Sequence, residues 1–243
     1  MYFFGSGVLI GTLPGANPTP VNFGLIQEAT YEESGTPKSL YGQYRRAIAV
    51  GAGTVKTTLK AKTAKISGLM LASLFYGVAL TPGQTATIIG ELGTVASGAV
   101  TVANSGAWTQ DQGVIYSATG LPLNRVAAAP AVGQYTVAAG VYSFNAGDNG
   151  SKVLVSYNYT IAGSGQKFTI PNPVLGNTIS FGANLFGLDP TTGLSVTLQL
   201  FNVVMAKASF GTKLEDFMLP DFEDECYVNA ANNLGQWSYP DTM

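Results

Sequence analysis

The chain has 243 residues, of which 12 are Lys or Arg and 14 are Asp or Glu, so its charged fraction is 11%, against about 25% in an ordinary soluble domain. It contains no histidine and one cysteine, which removes the usual general base, the commonest metal ligand and any disulfide framework. The formal net charge of −2 argues against tight nucleic-acid binding, and a surface this weakly charged predicts self-association.

The first part of the chain predicts β-strands, because short apolar or alternating runs recur between Gly, Pro, Asn and Asp. The predicted strands are 6–12, 21–29, 47–50 and 55–62. The last run alternates an apolar residue or Thr with Lys or Thr, which predicts one buried face and one face with a row of lysines. Residues 31–44, which include Gly35, Pro37 and Gly42, are predicted to form a long loop.

From Ile66 the apolar spacing changes to that of a short amphipathic helix. Met70 and Leu74 would share its buried face, Ser67 stands at the N-cap position, and Gly77 follows the last turn. This is the one helix that the sequence predicts.

The middle of the chain differs in composition from both ends, since only seven charged residues lie between positions 66 and 206. We therefore predict an inserted β module at 81–163, between two parts of a core at 1–80 and 164–243. Runs 135–144 and 153–161 flank the turn-rich segment 145–150 and predict a β-hairpin. Further strands are predicted at 178–184, 194–204, 222–228 and 236–239, which completes a mainly-β fold.

The aromatic residues of the inserted module leave two interpretations open. They are Trp108, Tyr116, Tyr135 and Tyr142. Aromatic side chains at strand positions usually pack in a core, but they can also stack on cell-surface sugars.

No motif predicts catalysis or a cofactor. Gly5-Ser6-Gly7 lacks the spacing and the histidine of a nucleophile elbow, and the acids of 221–225 lack the spacing of a calcium loop. Acidic neighbours should raise the pKa of Cys226, which predicts a structural thiol. No run reaches the about 18 apolar residues of a membrane helix, and the first residues lack a secretory-signal pattern. We therefore predict no enzyme, no cofactor, no metal and no membrane partner.

Short segments at the two ends of the chain form an ordered set. They are Tyr2–Ile10, Pro20–Glu28, Leu40–Tyr44, Lys60–Gly68, Leu74–Gly77, Lys213–Phe217 and Leu219–Phe222. In this order they resemble the tail tube proteins of long-tailed bacteriophages. Residues 113–144 are similar to a small β module carried by some phage virion proteins.

The resemblance implies a β-sandwich or barrel-like core with one flanking helix, six subunits per ring, and rings stacked into a hollow conduit. Double-stranded DNA would pass through it without tight binding, and the inserted module would face outward. The implied partners are further copies of the chain and other tail proteins, namely the tape measure, the tail terminator and the baseplate or tip. The implied location is the tail of the virion, after synthesis in the host cytoplasm. An adhesin-like decoration protein that binds host glycans is the alternative.

The candidate subunit and ring interface follows from this implied function. A conduit should have a neutral or acidic lumen, because each cation that meets a phosphate adds affinity for DNA. The cations of the first third would then face neighbouring subunits, where they could meet the acidic stretch 215–225, and the loop 31–44 would reach the next ring. The candidates are Tyr41, Arg45, Arg46, Lys56, Lys60, Lys62, Glu215, Asp216, Asp221 and Glu223. A solvated lysine face is the open alternative.

Overall fold

The computed structural model describes residues 4–190, 193–212 and 214–240. Strands account for 55% of the structure and helices for 6%, which confirms the predicted mainly-β fold. The chain divides into two compact units. The first unit combines Met1–Leu80 with Phe168–Met243, and the inserted unit is Thr81–Lys167.

The strands follow the chain in three groups. The first group is β1 (Phe4–Thr12), β2 (Val21–Asn22), β3 (Ile26–Gly35), β4 (Lys38–Tyr41), β5 (Ala47–Gly51) and β6 (Val55–Thr63). The inserted unit contains β7 (Thr81–Thr94), β8 (Ala99–Thr101), β9 (Trp108–Tyr116), β10 (Asn124–Arg125), β11 (Gln134–Ala138), β12 (Val141–Phe144) and β13 (Lys152–Lys167). The last group is β14 (Phe181–Leu188), β15 (Ser195–Ser209), β16 (Asp221–Tyr227) and β17 (Gly235–Ser238).

Within the described residues, the first unit is built on an antiparallel sheet of eight strands. Its strand order is β2-β1-β14-β15-β16-β6-β3, and β17 pairs with residues 197–200 of β15. Ser6 Oγ of β1 donates a hydrogen bond to the Ile26 carbonyl of β3 over 2.5 Å. Strands β1 and β3, which are far apart in the strand order, therefore lie close together. The sheet curls around one apolar interior.

The alternation predicted for 55–62 is confirmed in the second half of β6, where Leu59 and Ala61 are buried and Lys62 is exposed. It is wrong at the start of the strand, where Val55 is exposed and Thr58 is buried. The single strand predicted at 21–29 is wrong. Gly24 turns the chain between β2 and β3 with a φ of +99°, a conformation that favours glycine.

The predicted helix is confirmed as one turn of α-helix, α1 (Gly68–Met70), which continues as a π-helical turn at Leu71–Phe75. The side chain of Ser67 accepts a hydrogen bond from the Met70 N–H over 3.4 Å. Met70 and Leu74 are fully buried in the core of the first unit. The helical segment thus packs apolar side chains into the core that the sheet forms. No helix among the described residues has the length and hydropathy needed to cross a bilayer.

The inserted unit is a small sandwich of two sheets. Strands β7-β13-β9 form one sheet and β10-β11-β12-β8 form the other. Their facing side chains share one core, to which Val155 and Tyr157 contribute from β13 and Tyr142 contributes from β12.

The hairpin predicted between 135–144 and 153–161 is wrong. The run 135–144 is itself a hairpin, because Ala139 and Gly140 turn the chain between β11 and β12 with φ values of +48° and +77°. Residues 145–150 then carry the chain to β13 in the other sheet through a 3-10 turn at Ala146–Asp148. Strand β13 pairs with β7 and β9.

Candidate assembly interface

Three neighbouring strands of the first unit place eight charged side chains on one outward face. Residues two apart on a strand share a face, and the pairing register places Glu28 of β3, Lys62 of β6 and Asp221 of β16 side by side. The next charged row along the sheet contains Lys60 and Glu223. We call this set the charge ladder; its members are Glu28, Glu32, Lys56, Lys60, Lys62, Asp221, Glu223 and Glu225.

The lysines of the ladder are paired within the chain. Lys62 Nζ lies 2.6 Å from a Glu28 oxygen and Lys60 Nζ lies 3.2 Å from Glu32. Lys56 Nζ lies 2.5 Å from Glu225. The predicted contact between the lysine row and the acidic stretch thus occurs at Lys56, but within one chain and not between subunits. Hydrogen bonding to the partner carboxylate raises the pKa of Lys56 and of Lys62, so both stay charged at neutral pH.

Two carboxylates of the ladder lie outside these pairs. Asp221 and Glu223 stand two residues apart on β16, and neither forms an ion pair among the described residues. Lys207 of β15 lies opposite Glu223 in register without forming an ion pair with it. The face formed by β3, β6 and β16 has five carboxylates and three lysines. Its net charge is therefore negative, and the two carboxylates without a lysine partner on this face are Asp221 and Glu223.

Strands β3 and β6 continue beyond the main sheet as a second ribbon formed by β4 and β5. We call residues 36–54 the arm. Lys38 pairs with Gly51 at its base, and Tyr41 pairs with Ala47 near its tip. The predicted loop at 31–44 is therefore wrong: its first residues belong to β3 and its later residues to β4.

A glycine is required where the ribbon passes from the sheet into the arm. The Thr36 N–H donates to the Thr54 carbonyl over 3.2 Å, and a Cβ built at Gly53 would lie 1.9 Å from the Thr36 carbonyl oxygen. The side chain of any other residue would push apart the two strand segments at the base of the arm.

The arm exposes apolar side chains on both of its faces. Every residue of β4 and β5 is exposed, including Leu40 at 64%, Tyr41 at 62%, Ile48 at 69% and Val50 at 65%. Two-stranded hairpins are marginally stable in water unless a further strand or a hydrophobic surface covers them. Exposed apolar side chains grouped on one short ribbon are typical of an interaction surface.

The tip of the arm is basic. Residues 42–46 connect β4 to β5, and Arg45 and Arg46 lie there and are exposed. With Lys38 the arm has three cations and no acid. Of the predicted interface residues, Tyr41, Arg45 and Arg46 are therefore brought together on the arm, and Lys56, Lys60, Lys62, Asp221 and Glu223 are brought together on the ladder.

The remaining candidates, Glu215 and Asp216, lie in the exposed segment before β16, outside the arm and outside the strands of the ladder. This segment also exposes Leu214 at 98% and Phe217 at 88%. Sequence reasoning missed the apolar side chains of the arm and the glutamates Glu28 and Glu32. The available signal for the two glutamates was their spacing of four residues, which places both on one face of a strand that continues through them.

Asp224 points the other way from its charged neighbours. In register it lies between Leu59 of β6 and Met205 of β15, and it is fully buried with no hydrogen-bond partner for either carboxylate oxygen. Burial, and secondarily the charge of Glu223, raises its pKa to about 8. At neutral pH the interior therefore holds this side chain mainly as a neutral acid.

Cys226 lies next to Asp224 on the inward face of β16 and is a free, half-buried thiol. Burial is the main cause that raises its pKa to about 12, and the charges of Asp224 and Glu225 add to it. The predicted direction of this shift is confirmed, although burial outweighs the acidic neighbours.

The aromatic residues of the inserted unit serve its core. Tyr135 and Tyr142 are buried, and their hydroxyls donate to Asp111 over 2.7 and 3.0 Å. Tyr116 donates in the same way to Asp148 over 2.6 Å. These rings are packed inward and their hydroxyls are used, so the core interpretation is confirmed for Tyr135 and Tyr142.

No group of three or more Cys, Asp or Glu side chains in the described ranges is arranged to hold a metal ion. Comparison with known proteins adds no family: no protein-family model matches the chain, and no curated protein is significantly similar to it.

Proposed function

We propose that this chain is a structural virion protein whose copies polymerise into stacked hexameric rings that form a phage tail tube, the conduit for DNA delivery. The observation that supports this proposal best is the arm, a two-stranded ribbon that exposes apolar side chains on both faces. A ribbon of this kind is stabilised when another surface covers it, and further copies of the chain are the partners that the tail tube resemblance implies.

The charge ladder suits a protein that handles DNA in transit without retaining it. Phosphate binding needs cations that are available to release counterions from DNA. The three lysines of the ladder are each held by a carboxylate of the same chain, and the carboxylates outnumber them. This face therefore offers little affinity for DNA whether it lines the lumen or a contact between subunits.

The inserted unit has its own core and its own two sheets, so it can be accommodated without interrupting the sheet of the first unit. In the proposed tube it projects outward, because a module of this size in the bore would obstruct the genome. The proposed partners in the tail are the tape measure, the terminator and the baseplate or tip.

Negative-stain electron microscopy of the purified full chain at high concentration tests the proposal. Rings or hollow polymers are expected. A chain that stays monomeric at every concentration would exclude the tube, and discrete oligomers that bind sugars would favour the adhesin-like alternative.

A pair of matched variants locates the assembly surface. Ile48→Asn replaces an exposed apolar side chain of the arm with an amide. Ile89→Asn makes the same change at an isoleucine of β7 in the inserted unit, where the side chain is 85% exposed. We expect Ile48→Asn to prevent polymers and Ile89→Asn to leave them unchanged. Equal effects of the two variants would contradict the role of the arm.

A further inference from the structure

The arm has an excess of positive charge that its own chain does not neutralise. Arg45 and Arg46 are adjacent and exposed at its tip, and neither forms an ion pair among the described residues. Guanidinium groups pair with carboxylates through two parallel hydrogen bonds. The tip is therefore suited to a surface that offers two nearby carboxylates.

The charge ladder has two such carboxylates. Three of its five acids are engaged by Lys56, Lys60 and Lys62. The two that are left over, Asp221 and Glu223, are neighbours on one strand face, about 7 Å apart at two residues of strand rise. Two adjacent arginine side chains can span this distance.

We infer that the tip of the arm docks on the Asp221 and Glu223 end of the charge ladder of a second copy of this chain, through Arg45 and Arg46. This inference rests on the proposed function, because it names the surface that receives the arm in the assembly. The two surfaces have opposite net charge. The arm has three cations and no acid, whereas the ladder has five carboxylates and three lysines. Charge complementarity of this kind selects the partner surface and the register, while the apolar residues of the arm supply the buried area.

The arm and the ladder are separate surfaces of the same chain. Each copy can therefore give its arm to one neighbour and receive the arm of another, which is the condition for a ring that closes or a stack that continues.

Charge reversal followed by mixing tests the inference. Variant A is Arg45→Glu with Arg46→Glu, and variant B is Asp221→Lys with Glu223→Lys. Light scattering measures the critical concentration for polymerisation of each variant alone and of an equimolar mixture. Either variant alone should raise the critical concentration at least about tenfold, because like charges then meet at every contact. The mixture should restore polymers, because every A arm can meet a B ladder and every B arm an A ladder.

A double reversal elsewhere controls for net charge. Lys152→Glu with Lys167→Glu changes the charge of the inserted unit by the same amount as variant A, and it should polymerise like the unmodified chain. Circular dichroism checks that A and B are folded. If B does not fold, Asp221→Asn with Glu223→Gln takes its place; this variant keeps the shape of both side chains and should also raise the critical concentration.

The outcomes separate this inference from the proposed function. If the unmodified chain polymerises and variant A does so equally well, the docking of the tip is overturned and the tube proposal stands. Folded A and B that fail alone and also fail when mixed place the arm on a different surface, which overturns the inference too. A chain that never polymerises overturns the proposed function itself.

Discussion

Asp224→Asn is expected to stabilise the first unit by an amount that grows with pH. Asp224 is buried between Leu59 and Met205 with both carboxylate oxygens unpaired. Its ionised form is therefore disfavoured in the folded chain, whereas the unfolded chain ionises it freely. Asparagine has nearly the same shape and cannot ionise, so the variant keeps the packing and removes only the titration.

The magnitude follows from the two pKa values. The carboxyl changes from its ordinary pKa of 3.8 when unfolded to about 8 when folded, so between these limits the folded chain binds the additional proton. Stability then falls as pH rises, by about 1.4 kcal/mol per pH unit, and levels off above the folded pKa. At pH 7 the loss relative to strongly acidic solution is about 4 kcal/mol, and between pH 5 and pH 7 it is about 3 kcal/mol.

Urea unfolding at pH 5, 6, 7 and 8 measures this effect at concentrations where the chain is monomeric. Trp237 contacts Tyr31 edge-on in the first unit, so its fluorescence reports that unit once Trp108 of the inserted unit is replaced by Phe in every sample. The difference in unfolding free energy between Asp224→Asn and its parent should rise by about 3 kcal/mol from pH 5 to pH 7.

Asp221→Asn is the matched control, because it makes the same chemical change on the outward face of the same strand, and its difference from the parent should show little dependence on pH. A difference for Asp224→Asn that stays constant between pH 5 and pH 8 would show that the carboxyl is solvated or paired in the folded protein, and the argument from burial would be wrong.

Three further changes have local consequences. Gly53→Ala should separate the base of the arm at the Thr36 carbonyl, which hydrogen exchange of residues 36–54 would detect as faster exchange and light scattering as a higher critical concentration. Ser67→Ala removes the N-cap of the helical segment and should cost about 1 kcal/mol in urea unfolding of the first unit. Tyr135→Phe removes a hydroxyl donor from the Asp111 carboxylate and should cost about 1 to 3 kcal/mol in the inserted unit, while the first unit, followed by Trp237 fluorescence, unfolds as before.

The parts of the fold that the sequence predicted correctly are those with a strong local pattern. The alternation in β6 and the cap, spacing and final glycine of the helical segment are determined by neighbours along the chain. The turn at Ala139 and Gly140 was missed because it lacks the Asn-Gly or Asp-Gly pair that usually marks a two-residue hairpin turn. Propensity alone cannot place alanine at a positive φ; the pairing of β11 with β12 does so.

The candidate site shows the same limit. Lysines and acids at alternating positions predicted a charged face, but their pairing within the chain depends on which strands become neighbours. Strands β6 and β16 pair although they are far apart in the sequence, so local patterns do not predict their contact. Asp224 is a sharper case. It shares the inward face of β16 with Phe222, as strict alternation requires. A carboxylate is nevertheless expected at the surface, because burying its charge costs free energy.

In the proposed assembly, the distribution of charge explains how an arm with exposed apolar side chains selects one partner surface. An apolar ribbon alone would associate with any exposed apolar surface, including the segment that contains Leu214 and Phe217. The chain has 26 charged residues, and eleven of them lie on the ladder and the arm. Ion pairs penalise wrong partners more than they strengthen right ones. With the charges gathered on these two surfaces, they would determine the register in which two copies meet. Salt should therefore weaken the selectivity of assembly before it abolishes association, and rising salt should turn ordered polymers of the unmodified chain into irregular aggregates.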